Sequence, residues 1–389
     1  MSHQTGAIII GGHYQGLGAL KSLGENGVPL CLIDHELHIG RFSKYAHRFY
    51  HSPSIRSEES FLVFLQNLAV NENLMDWVVY PTDDETVYFL AKNKKFLEKY
   101  FTITTPDWHI TKYTYNKKLT YQLATELEIP IPKTYFPNKP EDIREFDLSF
   151  PFIIKPAIVK KFYNVFGKKV FVVNNETELK EFYDRTVEVI PTEEILFQEY
   201  IPGGSAVQYS FCPMFKEGKV LTRIMARRLR QHPIDFGHAS TFVETVKIPE
   251  LEETGSKFLK AINYYGIAEI EYMKDPRDGQ YKLLEINPRL WGWHTISRKA
   301  GVNLPYHFFQ DILGNEVQSN GYLEGIKWVR MITDIPTVVK EIFKRKMSVK
   351  DYIHSLAGEK EYAVWSLSDP LPMIMEWLLL PYFWRKKGF

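Results

Sequence analysis

The segment Tyr281-Lys-Leu-Leu-Glu-Ile-Asn-Pro-Arg289 sets Glu285, Asn287 and Arg289 two residues apart at the end of an apolar run. Side chains alternate along a strand, so an extended run points all three to one face. A carboxylate, an amide oxygen and a guanidinium aimed together suit a hard cation that bridges phosphate oxygens. The preceding stretch, Gly266-Ile-Ala-Glu-Ile-Glu-Tyr-Met-Lys-Asp275, also alternates and places Glu269 and Glu271 on one face. Between the two lies Pro276-Arg-Asp-Gly279, whose Asp-Gly dipeptide favours a tight turn. The pattern predicts a hairpin that brings Glu271 beside Glu285. An ordinary hairpin with a charged, solvated face is the alternative; carboxylates on both strands together with the Asn-Pro-Arg ending argue for the chemical reading.

These residues resemble the metal-binding end of the ATP-grasp superfamily, in which a hairpin ends in Glu-x-Asn-x-Arg. The resemblance covers about residues 1–320. It implies an ATP site between two lobes, with Mg2+ held by Glu271, Glu285 and Asn287 and Mn2+ as an alternative ion. Lysines that open a helix and end a short strand contact the ATP phosphates in that family; Lys117 and Lys155 stand at such places, with Lys118 replacing Lys117 if the register is displaced by one. Taken singly, each of these lysines reads as a surface residue. Gln198, Glu199, Tyr200 and Ile201 look like the hinge between the lobes, where a backbone carbonyl and N–H would read the adenine edge. The family often keeps an acid shortly after this Glu to hold the ribose hydroxyls. Here Ser205 and Gln208 occupy that stretch, and Gln208 could substitute by hydrogen bonding.

Further cations complete the constellation. Residues 160–169 fall where the family has a flexible phosphate-covering loop, and they carry Lys160, Lys161, Lys168 and Lys169; a solvated basic loop is the equal alternative. Arginine forms two-pronged bonds to carboxylates and phosphates that lysine does not match. Arg228 and Arg289 are therefore the candidates to stabilise a transferring phosphoryl group or an acyl-phosphate, whereas about half of the cluster Arg223, Arg227, Arg228 and Arg230 is expected to face solvent. His232, His238 and His294 could touch substrate. Lone histidines are more often structural, and none is assigned a catalytic role.

The elements that position these residues follow from local pattern. Ala7-Ile-Ile-Ile10, a glycine-rich turn, a helical stretch and Val28-Pro-Leu-Cys-Leu-Ile-Asp34 form a βαβ unit and imply a parallel sheet. Residues 61–69 read as a helix and 77–80 as a strand that runs into Pro81-Thr-Asp-Asp-Glu85. The fold class expected is α/β: a Rossmann-like domain over 1–115, of the kind that precedes an ATP-grasp fold and helps to form its substrate cleft. A two-lobed ATP-grasp fold of the α+β type follows over 116–320, with a small lobe at about 116–200 and a large lobe at about 201–320. Residues 321–389 read as a mainly helical extension, with a capping-box start at Ser348 and a stop at Gly358.

The first glycines give G-x-x-x-G-x-G at Gly12, Gly16 and Gly18, which differs from the G-x-G-x-x-G of dinucleotide folds, although Asp34 ends the second strand where such folds keep a ribose-binding acid. A turn that needs glycine for close backbone approach explains the same residues.

Composition sets the outer bounds. The 389 residues are 44% hydrophobic and 24% charged, as in a soluble globular protein with room for more than one domain. Basic and acidic side chains number 48 and 47, so no overall field favours nucleic acid. Cys31 and Cys212 both sit in apolar runs, which implies neither a disulfide framework nor a zinc site and fits a reducing cytoplasm. No secretory signal is read at the start, and no run reaches the ~18 apolar residues of a membrane span. The end of the chain, Pro372-Met-Ile-Met-Glu-Trp-Leu-Leu-Leu-Pro-Tyr-Phe-Trp-Arg-Lys-Lys387, is apolar and then basic. It suits either a helix packed on the body or a peripheral contact with an anionic inner membrane surface.

The resemblance implies an ATP-dependent carboxylate–amine ligase acting on small-molecule carboxylate and amine substrates through an acyl-phosphate, within the predicted carboligases related to D-aspartate ligase and carbamoyl-phosphate synthase. Two other functions remain open on the residues alone. The departures at Ser205 and in residues 160–169 suit a non-catalytic ATP-binding sensor or assembly module, and the first glycine loop suits a nicotinamide-dependent oxidoreductase.

Overall fold

The computed structural model describes residues 4–232, 239–317 and 321–387. Strands β1 (Ala7–Ile10), β2 (Leu30–Asp34), β3 (Arg48–His51), β4 (Val78–Pro81) and β5 (Thr102–Ile103) form a parallel sheet in the order β3-β2-β1-β4-β5. β1, β2 and β4 are buried along their whole length, which is why they read as unbroken apolar runs. Helix α1 (Tyr14–Gly24) leaves the glycine turn so closely that a Cβ on Gly16 would lie 1.9 Å from the carbonyl oxygen of Gly11. Close approach is thus the reason for that glycine. Helices α2 (Glu58–Asn71) and α3 (Asp84–Leu97) follow, and Asp83 caps α3 by accepting the Thr86 N–H at 2.8 Å. Strand order reverses at β1, so the carboxyl ends of β1 and β4 border the crevice where open α/β sheets bind ligands.

Helices α4 (Trp108–Tyr115) and α5 (Lys117–Glu126) lead into the second unit, with the Asn116 side chain capping α5 at the Lys118 N–H, 2.9 Å away. Strands β6 (Thr134–Tyr135), β7 (Phe152–Pro156), β8 (Phe171–Val173) and β9 (Ile195–Glu199) make an antiparallel sheet in the order β6-β9-β7-β8. The lysine-rich stretch expected as a flexible loop instead contains helix α6 (Val159–Phe166), which Gly167 ends at φ +62°. Its Phe162 is fully buried against Phe166 and Phe171, with ring centroids 4.7 and 5.1 Å away. That aromatic anchor, rather than glycine and serine content, decides the local structure. Helix α7 (Glu176–Val187) follows β8.

The third sheet runs β15-β14-β10-β11-β12-β16-β17, with β13 beside β10. Its strands are β10 (Gln208–Lys216), β11 (Lys219–His232), β12 (Ala239–Thr245), β13 (Gly266–Ile267), β14 (Glu269–Lys274), β15 (Tyr281–Asn287), β16 (Lys327–Val329) and β17 (Lys360–Tyr362). Beyond residue 320 lie helices α11 (Met331–Phe343), α12 (Val349–Ser355), α13 (Leu371–Leu378) and α14 (Leu380–Lys387); α8 (Pro249–Ala261), α9 (Ile296–Lys299) and α10 (Leu304–Ile312) precede them. The extension is therefore mostly helical, but it also lends β16 and β17 to the large sheet. Trp328 in β16 is fully buried and its indole N–H donates to Thr295 Oγ1 at 3.0 Å. Strands of three residues show no alternation that sequence could reveal.

The extension also fastens the first domain. Buried Lys21 donates to the Val364 carbonyl at 3.0 Å, and Asp369 accepts the Ser43 hydroxyl at 2.5 Å and the Lys44 N–H at 3.0 Å. Among the described residues no helix is long and apolar enough to cross a membrane.

Candidate active site

The hairpin of β14 and β15 sets the site. Its register pairs Glu271 with Glu285 and Glu269 with Asn287. Asp275 and Gly279 close the turn, the Gly279 N–H donating to the Asp275 carbonyl at 2.7 Å with Gly279 at φ +75°. Asn287 donates its amide to Glu269 at 3.2 Å and to Glu271 at 3.1 Å, which ties the face together. Glu269 is buried, and burial together with the neighbouring Glu271 pushes its carboxyl up to about 8. Glu285 behaves in the opposite way. Burial opposes its charge, yet Lys117, Lys169 and Lys155 hold its carboxyl well below the usual range. Lys117 donates directly to Glu285, and that contact keeps its ammonium charged against its own desolvation.

Lys155, at the end of β7, donates to Tyr121 Oη at 2.6 Å and to Gln198 Oε1 at 2.8 Å. Burial and the nearby Lys117 push its pKa well down. Gln198 is held in turn by donating to Thr134 Oγ1 at 2.7 Å, so its side chain aims Lys155 while the residue itself lines the smaller cavity. The Glu199 N–H is engaged with the Lys133 carbonyl at 2.9 Å, and its carboxylate accepts the Lys133 N–H at 2.8 Å, Lys282 Nζ at 3.0 Å and Arg277 at 2.6 Å. Glu199 thus fastens the hinge to the β14–β15 turn. Lys282 and Arg277 also grip Asp275, at 2.7 and 2.5 Å, and sequence reasoning assigned a role to none of these three. Tyr200 and Ile201 border a cavity of about 200 Å3 that also reaches Lys117, Lys155, Gln208, Arg228, Glu271 and Glu285. In that cavity wall the Gln208 Oε1 atom is buried without a hydrogen-bond partner among the described residues.

The two arginines approach from different sides. Arg228 in β11 donates to Glu271 at 3.1 Å and to Gln231 at 3.2 Å. Arg289 donates to Asp84 at 2.6 and 3.4 Å and to Asn287 Oδ1 at 3.2 Å. Of the remaining cluster, Arg223 and Arg227 pair with Glu252 and Glu244 at 2.7 and 2.6 Å, while Arg230 pairs with Asp334 at 2.8 Å. His232 sits against Thr337 Oγ1 at 2.8 Å. His294 is fully buried, donating from Nδ1 to the Trp291 carbonyl at 2.7 Å, and burial lowers its pKa to about 4. His238 lies outside the described residues.

Asp84 is the residue the sequence did not single out. It opens α3 at the carboxyl end of β4, where an acid beside a parallel sheet's crevice is the signal that could have found it. A cleft of about 730 Å3 begins there. It runs from Asp34, His38 and Asp84 in the first domain to Lys117, Glu285 and Arg289, and so adjoins the smaller cavity at Lys117 and Glu285. Asp34 does not face this cleft as a free acid. Its carboxylate accepts the Gly12 N–H at 2.5 Å, the Glu36 N–H at 2.9 Å and His38 Nδ1 at 2.7 Å. The Gly12 N–H is thus already taken by a carboxylate in the turn that would have to present it to a pyrophosphate.

The donor set fits magnesium. That ion takes one or two carboxylates and completes its shell with water and phosphate oxygens, as Glu271, Glu285 and the Asn287 amide oxygen allow. Among the described residues no three His, Cys, Asp or Glu side chains gather into a metal-binding group.

Comparison with known proteins agrees with this geometry. Residues 192–335 match the family "ATP-grasp in the biosynthetic pathway with Ter operon", and residues 114–208 match the RimK-like ATP-grasp domain. D-aspartate ligase of Enterococcus faecium is 23% identical over 97% of this chain and 94% of its own length. The C-terminal section of the carbamoyl phosphate synthase large chain of Methanopyrus kandleri is 25% identical over 50% of this chain and 36% of its own. The fold resembles N5-carboxyaminoimidazole synthetase of Staphylococcus aureus complexed with ADP, with a TM-score of 0.63, 18% identity and coverage of 82% of this chain and 80% of that one. On the strength of these matches and of the hairpin that ends in Glu285, Asn287 and Arg289, the chain belongs to the ATP-grasp superfamily.

Proposed function

We propose that the protein is an ATP-dependent carboxylate–amine ligase that works in the cytoplasm on two small molecules. The observation that carries the reading is the pairing of Glu271 with Glu285 at the junction of two cavities, one beside the hinge and one against the first domain. ATP lies in the smaller cavity, with adenine near Tyr200 and Ile201, the ribose near Gln208 and the phosphates between Lys117 and Lys155. Glu271, Glu285 and Asn287 would hold magnesium, which when bound would neutralise charge on the triphosphate. A carboxylate in the larger cleft bonds to the γ-phosphorus while the bond to the ADP oxygen breaks. The amine nitrogen then attacks the acyl carbon of the resulting acyl-phosphate, phosphate leaves and the nitrogen loses a proton to solvent. Arg289 and Arg228 stabilise the charge on the transferred group, and positioning supplies most of the rate.

The D-aspartate ligase that matches nearly the whole chain supports this choice over a sensor. The apolar and basic tail is a proposed peripheral membrane contact, supported by the exposure of Ile374, Trp377 and Leu378. The test of the ligase reading is ADP release with pooled amino acids as acid and amine. Release that depends on both substrates supports it. ATP binding with no release across the pool favours the sensor.

A further inference from the structure

Helices α11 and α12 form a hairpin that is fastened at its base and bare at its tip. At the base, Arg230 of β11 donates to both oxygens of Asp334 at 2.8 Å and to Ser355 Oγ at 3.0 Å. Thr241 adds a bond to Asp334 at 2.8 Å, and Lys327 Nζ reaches the Ser355 carbonyl at 2.9 Å. From Val339 to Leu356 no residue is buried. This tip is not polar, as a bare helical tip in water should be. Val339 and Phe343, four residues apart on α11, are 43% and 84% exposed, and Val349 and Ile353, four apart on α12, are 58% and 62% exposed. Spacing of four places each pair on one face of its helix.

The charges around these side chains decide what would cover them. Lys340, Lys344, Arg345, Lys346 and Lys350 are all exposed within the same stretch. Its two acids are engaged locally: Glu341 lies 3.9 Å from Lys344, and Asp351 accepts the Ser348 N–H at 3.1 Å in a capping box. Apolar side chains set in a stretch where five cations outnumber two acids match the interface of an anionic leaflet, where rings and branched chains enter the acyl boundary and ammonium groups meet headgroup phosphates. We infer that the tip of the α11–α12 hairpin docks on an anionic lipid surface. This contact is separate from the tail beyond Pro372. Because its base grips β11, which also carries Arg228, docking holds the large sheet at the membrane.

The experiment is co-sedimentation of the full chain, without nucleotide, with phosphatidylcholine vesicles that either contain or lack phosphatidylglycerol. Its outcome does not depend on the ligase reading. The expected result is binding only to the phosphatidylglycerol vesicles, weakened roughly 100-fold by Lys344→Ala, Arg345→Ala and Lys346→Ala together. Phe343→Ser with Ile353→Ser is expected to reduce the part of binding that survives high salt, whatever share the tail beyond Pro372 adds. These positions are exposed, and circular dichroism checks that the variants fold. Equal binding to both vesicle types, binding to neither, or binding unchanged by the substitutions overturns the inference. So does a concentration-dependent dimer that the same substitutions dissolve, which would assign the tip to a second copy of the chain.

Discussion

Glu271 and Glu285 stand directly opposite each other in the β14–β15 register, and each meets a cation from a different part of the chain. Arg228 reaches Glu271 from β11, and Lys117 reaches Glu285 from the start of α5. Like charges across a strand pair destabilise a sheet. Those cations offset the repulsion in the structure, and the magnesium proposed above would draw on the same two carboxylates.

The bond between Arg289 and Asp84 joins the first domain to the end of the β14–β15 hairpin. Removing the charge with Asp84→Asn leaves the guanidinium without its aim. The expected outcome is a fall in kcat of roughly 10–100-fold, since small misplacements of positioning groups cost that much, with little change in KM for ATP. Stability should move by less than about 1 kcal/mol, because the Asp84 side chain is more than half exposed. Steady-state kinetics decide it: a rise in KM at constant kcat would show that the pair serves ATP binding instead.

Gln208 offers an unpartnered acceptor to the smaller cavity. If it holds a ribose hydroxyl, the protein prefers ATP to a deoxy-ATP by roughly 5–10-fold, the worth of about one hydrogen bond. Gln208→Leu should erase that preference while the deoxy analogue is used as before. An unchanged preference in the variant would exclude Gln208 from ribose recognition.

His294 provides a test by pH. Its folded pKa of about 4 lies below the ordinary 6.5, first because it is buried. Between these values the unfolded chain binds a proton that the folded chain does not, so stability is lost as pH falls from 6.5 towards 4. The share is roughly 3 kcal/mol. His294→Asn retains a donor for the Trp291 carbonyl and removes the titration, so urea unfolding of the variant should lose less stability over that window. An identical slope in both proteins would contradict the assignment.

The hairpin was legible because everything that defines it is local: alternation of period two, a turn dipeptide, and acids on one face of each strand. Lys117 and Lys155 were legible by their place at a helix start and a strand end, and the structure sets both beside Glu285 or its neighbours. Asp84 was not, because its partner Arg289 lies 205 residues away, and spacing carries no information over that distance. The same holds for the anchoring of the Glu199 carboxylate, whose partner Lys282 is 83 residues on. Helix α6 was missed because lysines suggested solvent, whereas the burial of Phe162 decided the conformation. β16 and β17 are too short for any periodicity to show.

Titration calorimetry with a non-hydrolysable ATP analogue tests the central claim most directly. The account predicts heat of binding that requires magnesium, and an affinity for the magnesium complex reduced by roughly 100-fold or more in Glu285→Gln. Binding of equal strength with magnesium withheld, or binding that Glu285→Gln leaves untouched, would contradict it.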